Sequence, residues 1–155
     1  LDHLAVLKGL TDSRERQRAV KSLLVLTNLY EKRSQTLATY SGGMLKRFGV
    51  AQALLGNPRL LIVDEPTVGL DIKAQLDFIE MMRSLARSGT TVILVTHHIE
   101  EVFEEIKTAV LIKEGTIYAS GQKDEVLSGM NLSEVFHTPL EVQKLQGRYS
   151  IHPMI

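Results

Sequence analysis

Leu60-Leu61-Ile62-Val63-Asp64-Glu65-Pro66 carries four apolar residues straight into two carboxylates and a proline. A short, wholly apolar run with a helix stop before it and a turn after it reads as a buried strand. The stop is supplied upstream by Gly56 and Pro58, a helix C-cap followed by a residue that cannot continue the helix. Downstream, Ala74 to Ala86 places Leu76, Ile79, Met82 and Leu85 at helical spacing, and Gly89 ends that run. Thr91 to Thr96 is a second buried, β-branched strand. Strand, helix and strand in this order predict an α/β fold.

Working outward, residues 1–56 read as helical. Asp12 and Glu15 are spaced as a capping box, and Ala19, Val20, Leu23, Leu24 and Leu26 follow on one 3.6-period face. Tyr30 to Thr39 is a polar connector, and a second helix is expected from Ser41 to Leu55. Beyond the second strand, Ile99 to Ile106 is expected as a short helix. Thr108 to Ile112 and Thr116 to Ala119 flank Glu114-Gly115 as a hairpin. Gly121 opens a loop, with helical pieces expected near Asp124–Leu127 and Leu132–Phe136. The organisation expected is a helical subdomain over 1–56, a core over 57–137 and a tail over 138–155 that carries no pattern.

Composition narrows the function classes. The chain has 155 residues, 44% of them apolar and 23% charged, an ordinary balance for a globular protein. Lys+Arg and Asp+Glu each number 18, so there is no general electrostatic pull toward nucleic acid. The absence of cysteine excludes disulfides and thiolate metal sites. The longest apolar runs fall far below the ~18 residues a membrane span needs.

Three short motifs bear chemistry. At the carboxyl end of a strand in an α/β sheet, where ligands gather, Asp64 is a hard oxygen donor suited to Mg²⁺. Glu65, next to it, is free to orient or deprotonate an attacking water. This is the division of labour that phosphoanhydride hydrolysis needs. Taken alone, the same residues suit a strand entering a solvated acidic turn. Tyr40-Ser41-Gly42-Gly43-Met44 places a good N-cap and two bare amides at a helix start. That arrangement attracts phosphate, or is simply a glycine-containing helix start. Thr96-His97-His98 closes the second strand with a histidine able to hydrogen-bond a phosphate oxygen or the attacking water; the plain alternative is a packing or surface histidine. Alternation along a strand would send His97 and His98 to opposite faces, against a shared metal.

The order of these motifs, with Gly69-Leu70-Asp71 between the carboxylates and the histidines, resembles the ATP-binding cassette (ABC) ATPases. Tyr40 to Met44 resembles their signature motif, Leu60 to Glu65 their Walker B strand with its catalytic glutamate, Gly69 to Asp71 their D-loop, and His97 their switch histidine. The resemblance runs from the helical region to Met130. It implies a P-loop NTPase (RecA-like) fold, in part: the helical signature subdomain and the carboxyl half of the core sheet. It implies ATP and Mg²⁺, with Asp64 helping to hold the metal, Glu65 activating water and His97 contacting the γ-phosphate. Ser41, Gly42 and Gly43 would contact the γ-phosphate of ATP on a second ATPase subunit in a head-to-tail dimer, with Asp71 at the seam and Pro66 and Thr67 shaping the loop between. It further implies transport through a separate transmembrane permease, and a cytoplasmic place on the inner face of the membrane. No nucleic-acid partner is expected.

There are departures. Tyr40 and Met44 stand where the signature usually has Leu and Gln. No G-x-x-x-x-G-K-[ST] loop, and no Gly-Lys pair, occurs; the family's nucleotide-stacking aromatic and Q-loop are also missing. The chain is therefore expected to be the second part of a nucleotide-binding domain, and to neither bind ATP well nor hydrolyse it by itself. Tyr40 to Asp71 resembles ATPases of ABC-2-type exporters, whereas Thr96 to Phe136 resembles those of iron-complex or other metal uptake. The alternatives are a non-transport ATPase of the same superfamily and a non-catalytic module that donates its signature to a partner's site.

Overall fold

Side-chain caps set the starts of α-helices at Ser13, Gly42, Ile72 and Gly129. The computed structural model describes residues 1–154. Helix α1 spans Asp2–Leu7 and α2 Ser13–Leu26. Asp12 caps α2 by accepting from the Glu15 amide at 2.8 Å, as the capping-box spacing predicts. Two 3₁₀ turns, Tyr30–Lys32 and Leu37–Thr39, make the connector. Helix α3 spans Gly42–Ala53 with Ser41 as N-cap, and α4 spans Ile72–Arg87 with Asp71 as N-cap. The latter begins two residues before the expected start because Asp71 Oδ1 accepts from the Ala74 amide at 2.8 Å.

Strands β1 (Leu60–Asp64) and β2 (Thr91–Val95) pair in parallel, Leu60 opposite Thr91 through Asp64 opposite Val95. Phe78, Met81, Met82 and Leu85 form the buried stripe of α4, at i, i+3, i+4 and i+7. Together with Val50, Ala51, Leu54, Leu61 and Val63 they supply the core here. The expectation that β1 is buried on both faces fails. Leu61 and Val63 are buried, but Leu60 and Ile62 are 47% and 60% exposed. Ile93 and Val95 on β2 share this exposure. Strand residues alternate faces, and in this chain one face of the strand pair is covered and the other is open.

Two compact units result, Leu1–Val95 and the residues from Thr96 onward. In the second, β3 (Thr108–Lys113) and β4 (Thr116–Gln122) form the expected hairpin about Glu114-Gly115, with a register shift at Leu111/Ile112. Helices α5 (Lys123–Val126) and α6 (Gly129–Phe136) follow. The segment after Thr138 folds as a further hairpin, β5 (Leu140–Leu145) and β6 (Arg148–Pro153). Its core is Ile99, Leu127, Leu132, Leu140 and Tyr149. The expected helix over Ile99 to Ile106 is a single 3₁₀ turn, Ile99–Glu101. Ile99, Glu101 and Phe103 are all buried, a period of two that no α-helix can satisfy.

A polar network fastens this unit. Asp124 accepts from Lys144 Nζ at 2.7 and 2.8 Å and from the Tyr149 hydroxyl. Those two donors, Lys144 first, hold its carboxyl below the usual range. Lys123 is buried and donates to the carbonyls of Phe103 and Glu104, each at 2.9 Å. Burial pushes its ammonium down.

Candidate functional site

The first unit brings together three of the groups that the sequence singles out. Ser41 Oγ accepts from the Met44 amide at 3.3 Å, so the hydroxyl opens α3. Gly42 is exposed, and a Cβ there would meet nothing within 4 Å. Gly43 is buried, and a Cβ would lie 3.4 Å from Ala74 Cβ and 3.5 Å from Leu70 Cδ2. The small residue lets the start of α3 approach the start of α4 closely.

Between those two helix starts lies a cavity of about 380 Å³ lined by Ser41, Gly42, Gly43, Gly69, Leu70 and Asp71, with Arg47, Lys73, Ala74 and Asp77. Two helix N-termini face it, each with partial positive charge. Of its acidic groups, Asp71 is engaged as a cap. Asp77 pairs with Lys73 at 3.3 Å and with Arg47 at 3.9 Å. Arg47 and Lys73 balance Asp71 and Asp77 in charge, so what the cavity offers a phosphate-like anion is the Gly42-Gly43 start of α3.

The second part of the site stands at the end of β1. Asp64 is exposed, and its strand borders a groove of about 210 Å³ that Lys46, Gly49, Val50, Pro66 and Phe78 also line. An exposed carboxylate at a strand end fits the hard-oxygen coordination of Mg²⁺. Glu65 leaves the strand with φ +44°, and its amide donates to Val95 O at 2.9 Å. For a residue other than glycine this is a strained region that persists only where its surroundings impose it. Gly69 turns the loop with φ +75°, and the Leu70 amide donates to Thr67 O at 3.0 Å.

His97 belongs to the second unit, where it is exposed beside His98. Their rings lie 4.1 Å apart, tilted by 38°, so the expectation that they point to opposite faces is wrong. Strand β2 has already ended at Val95. The His98 amide turns back to donate to Thr96 Oγ1 at 2.9 Å, and strand alternation no longer applies.

Sequence reasoning missed Lys46, Arg47 and Lys73. Lys46 and Arg47 follow Gly42 by four and five residues, which on a helix is one turn from the bare amides; that spacing was the available signal. Lys46 Nζ donates to the carbonyls of Glu65 and Val68 at 3.0 and 2.7 Å.

Residues 2–102 match the family model described as "AAA domain, putative AbiEii toxin, Type IV TA system". The uncharacterized ABC transporter ATP-binding protein YlmA of Bacillus subtilis (strain 168) is 34% identical over 89% of this chain and 53% of its own length. The linearmycin resistance ATP-binding protein LnrL of the same organism is 36% identical over 77% of this chain and 38% of its own. The chain thus spans about half the length, or less, of these curated relatives. A solved structure described as "An inward-facing conformation of a putative metal-chelate type ABC transporter" superposes with TM-score 0.83, at 22% identity, over 98% of this chain and 65% of that one.

Proposed function

The chain belongs to the AAA-domain ATPases of the ATP-binding cassette type and covers part of their nucleotide-binding domain, and on that premise we propose that it serves ATP hydrolysis coupled to transport. The observation that carries the reading is the meeting of two helix N-termini, at Ser41 and Asp71, over one cavity, in the same unit as the strand-end pair Asp64-Glu65. In this reading Asp64 holds Mg²⁺, which would offset charge on the phosphate oxygens. Glu65 accepts the proton of the attacking water, and its position just past the strand end supports that role. His97 hydrogen-bonds the γ-phosphate.

Ser41, Gly42 and Gly43 bind the γ-phosphate of ATP held by a second ATPase subunit. The exposure of Ser41 and Gly42 supports this, since the first turn of the helix is open to a partner's ligand there. Asp71 stands at the seam, where its cap fixes the start of α4. A transmembrane permease is the transport partner, and among the described residues no helix is long and apolar enough to cross a membrane itself. The ATPase acts at the inner face of that membrane.

Steady-state hydrolysis of Mg-ATP by the complete polypeptide tests the reading. Glu65→Gln is expected to lower kcat by about 10²–10⁴-fold while nucleotide still binds. Hydrolysis undiminished in Glu65→Gln would remove Glu65 from the chemistry.

A further inference from the structure

We propose that Lys46 is the positioning residue of this site: it ties the phosphate-facing helix α3 to the loop that aims Glu65. Its catalytic consequence rests on the ATPase reading above, whereas the tie itself stands on geometry alone. Lys46 Nζ donates to Glu65 O at 3.0 Å and to Val68 O at 2.7 Å. Those carbonyls are the first and last of the segment Glu65-Pro66-Thr67-Val68, so one ammonium closes the loop like a bracket. Charge-assisted hydrogen bonds are the strong ones, and an ammonium has three donors to divide between two acceptors.

The bracket acts where the backbone needs it. Glu65 sits at φ +44°, a conformation that must be imposed from outside. Its amide is fixed from β2 by Val95 O, and its carbonyl is fixed from α3 by Lys46. With both ends of the residue held, the direction of its Cα–Cβ bond is set. Lys46 also lies one turn from Gly42 and Gly43 at the start of α3. The same side chain therefore joins the helix that begins at Gly42 to the loop that carries Glu65.

The experiment uses Lys46→Met, Lys46→Gln and Lys46→Arg in the complete polypeptide, with kcat and KM for Mg-ATP and amide hydrogen exchange across residues 65–70. Lys46→Met is expected to lower kcat by about 10–100-fold, to shift KM by less than about threefold, and to speed exchange in that segment. Lys46→Arg, which keeps two donors, is expected to return most of kcat and of the protection. Lys46→Gln, with a neutral head and a shorter reach, falls between. Unchanged kcat and unchanged exchange in Lys46→Met would overturn the proposal. So would a rise in KM at constant kcat, which would make Lys46 a nucleotide contact. If the wild type hydrolyses no ATP, the functional reading fails while exchange still decides the tie: faster exchange supports it, and unchanged exchange overturns it.

Discussion

Asp71→Ala separates the structural work of Asp71 from any role at a subunit seam. Asp71 is the N-cap of a sixteen-residue helix, Ile72–Arg87, and its Oδ1 accepts from the Ala74 amide at 2.8 Å. Losing such a cap to alanine costs about 1 kcal/mol. Losing the negative charge at a helix N-terminus costs a further ~0.3–1 kcal/mol. Asp71→Ser keeps an acceptor for the Ala74 amide and gives up only the charge. The two variants are thus expected to differ by about 1 kcal/mol, and for a chain of this size 1 kcal/mol corresponds to roughly 2–4 °C in Tm. Thermal unfolding followed by circular dichroism reads the difference, with Asp71→Ser above Asp71→Ala and below the wild type. Equal melting of the two variants would refute the capping argument, because the hydroxyl would then be replacing nothing.

Two further outcomes follow from the second unit. Asp124 is held below its usual range by Lys144 and Tyr149, so the stability it contributes is complete above the unfolded carboxylate pKa, about 4, and is lost as pH falls through its lower folded value; urea midpoints taken down the acid limb should fall less steeply in Asp124→Asn than in the wild type. A Cβ at Gly129 would stand 2.8 Å from the Leu140 carbonyl oxygen, backbone that cannot swing aside, so Gly129→Ala is expected to destabilise by about 1–3 kcal/mol in urea unfolding, and an unchanged midpoint would contradict that packing.

Local signals were legible in the sequence where a single side chain decides the outcome. Asp12 and Ser41 cap the helices expected of them. The runs Leu60 to Val63 and Thr91 to Thr96 became adjacent parallel strands. Glu114-Gly115 turned a hairpin with both residues at positive φ, the geometry of the favoured two-residue turn. Gln146-Gly147 does the same, at φ 51° and 77°, and this X-Gly pair between Leu140–Leu145 and Arg148–Pro153 is the one hairpin signal in a tail that otherwise carries no pattern. Other features come from distant parts of the chain and leave no local trace. The left-handed turn at Glu65 depends on Val95 and Lys46. The cavity at Ser41 depends on how closely Gly43 lets α3 approach Leu70 and Ala74. The burial of β1 is not legible in its apolar run, which records what a strand can tolerate on both faces, whereas this chain covers one.

In the dimer proposed above, one copy supplies Glu65 and another supplies Ser41, Gly42 and Gly43 to the same ATP. Mixing two inactive variants of the complete polypeptide, Glu65→Gln and Gly42→Asp, tests it most directly. A mixed dimer would hold one site with both defects and one with neither. ATPase activity, absent from each variant alone, is expected to return on mixing in proportion to the mixed dimer formed. Mixed dimers that form and hydrolyse no ATP would contradict it.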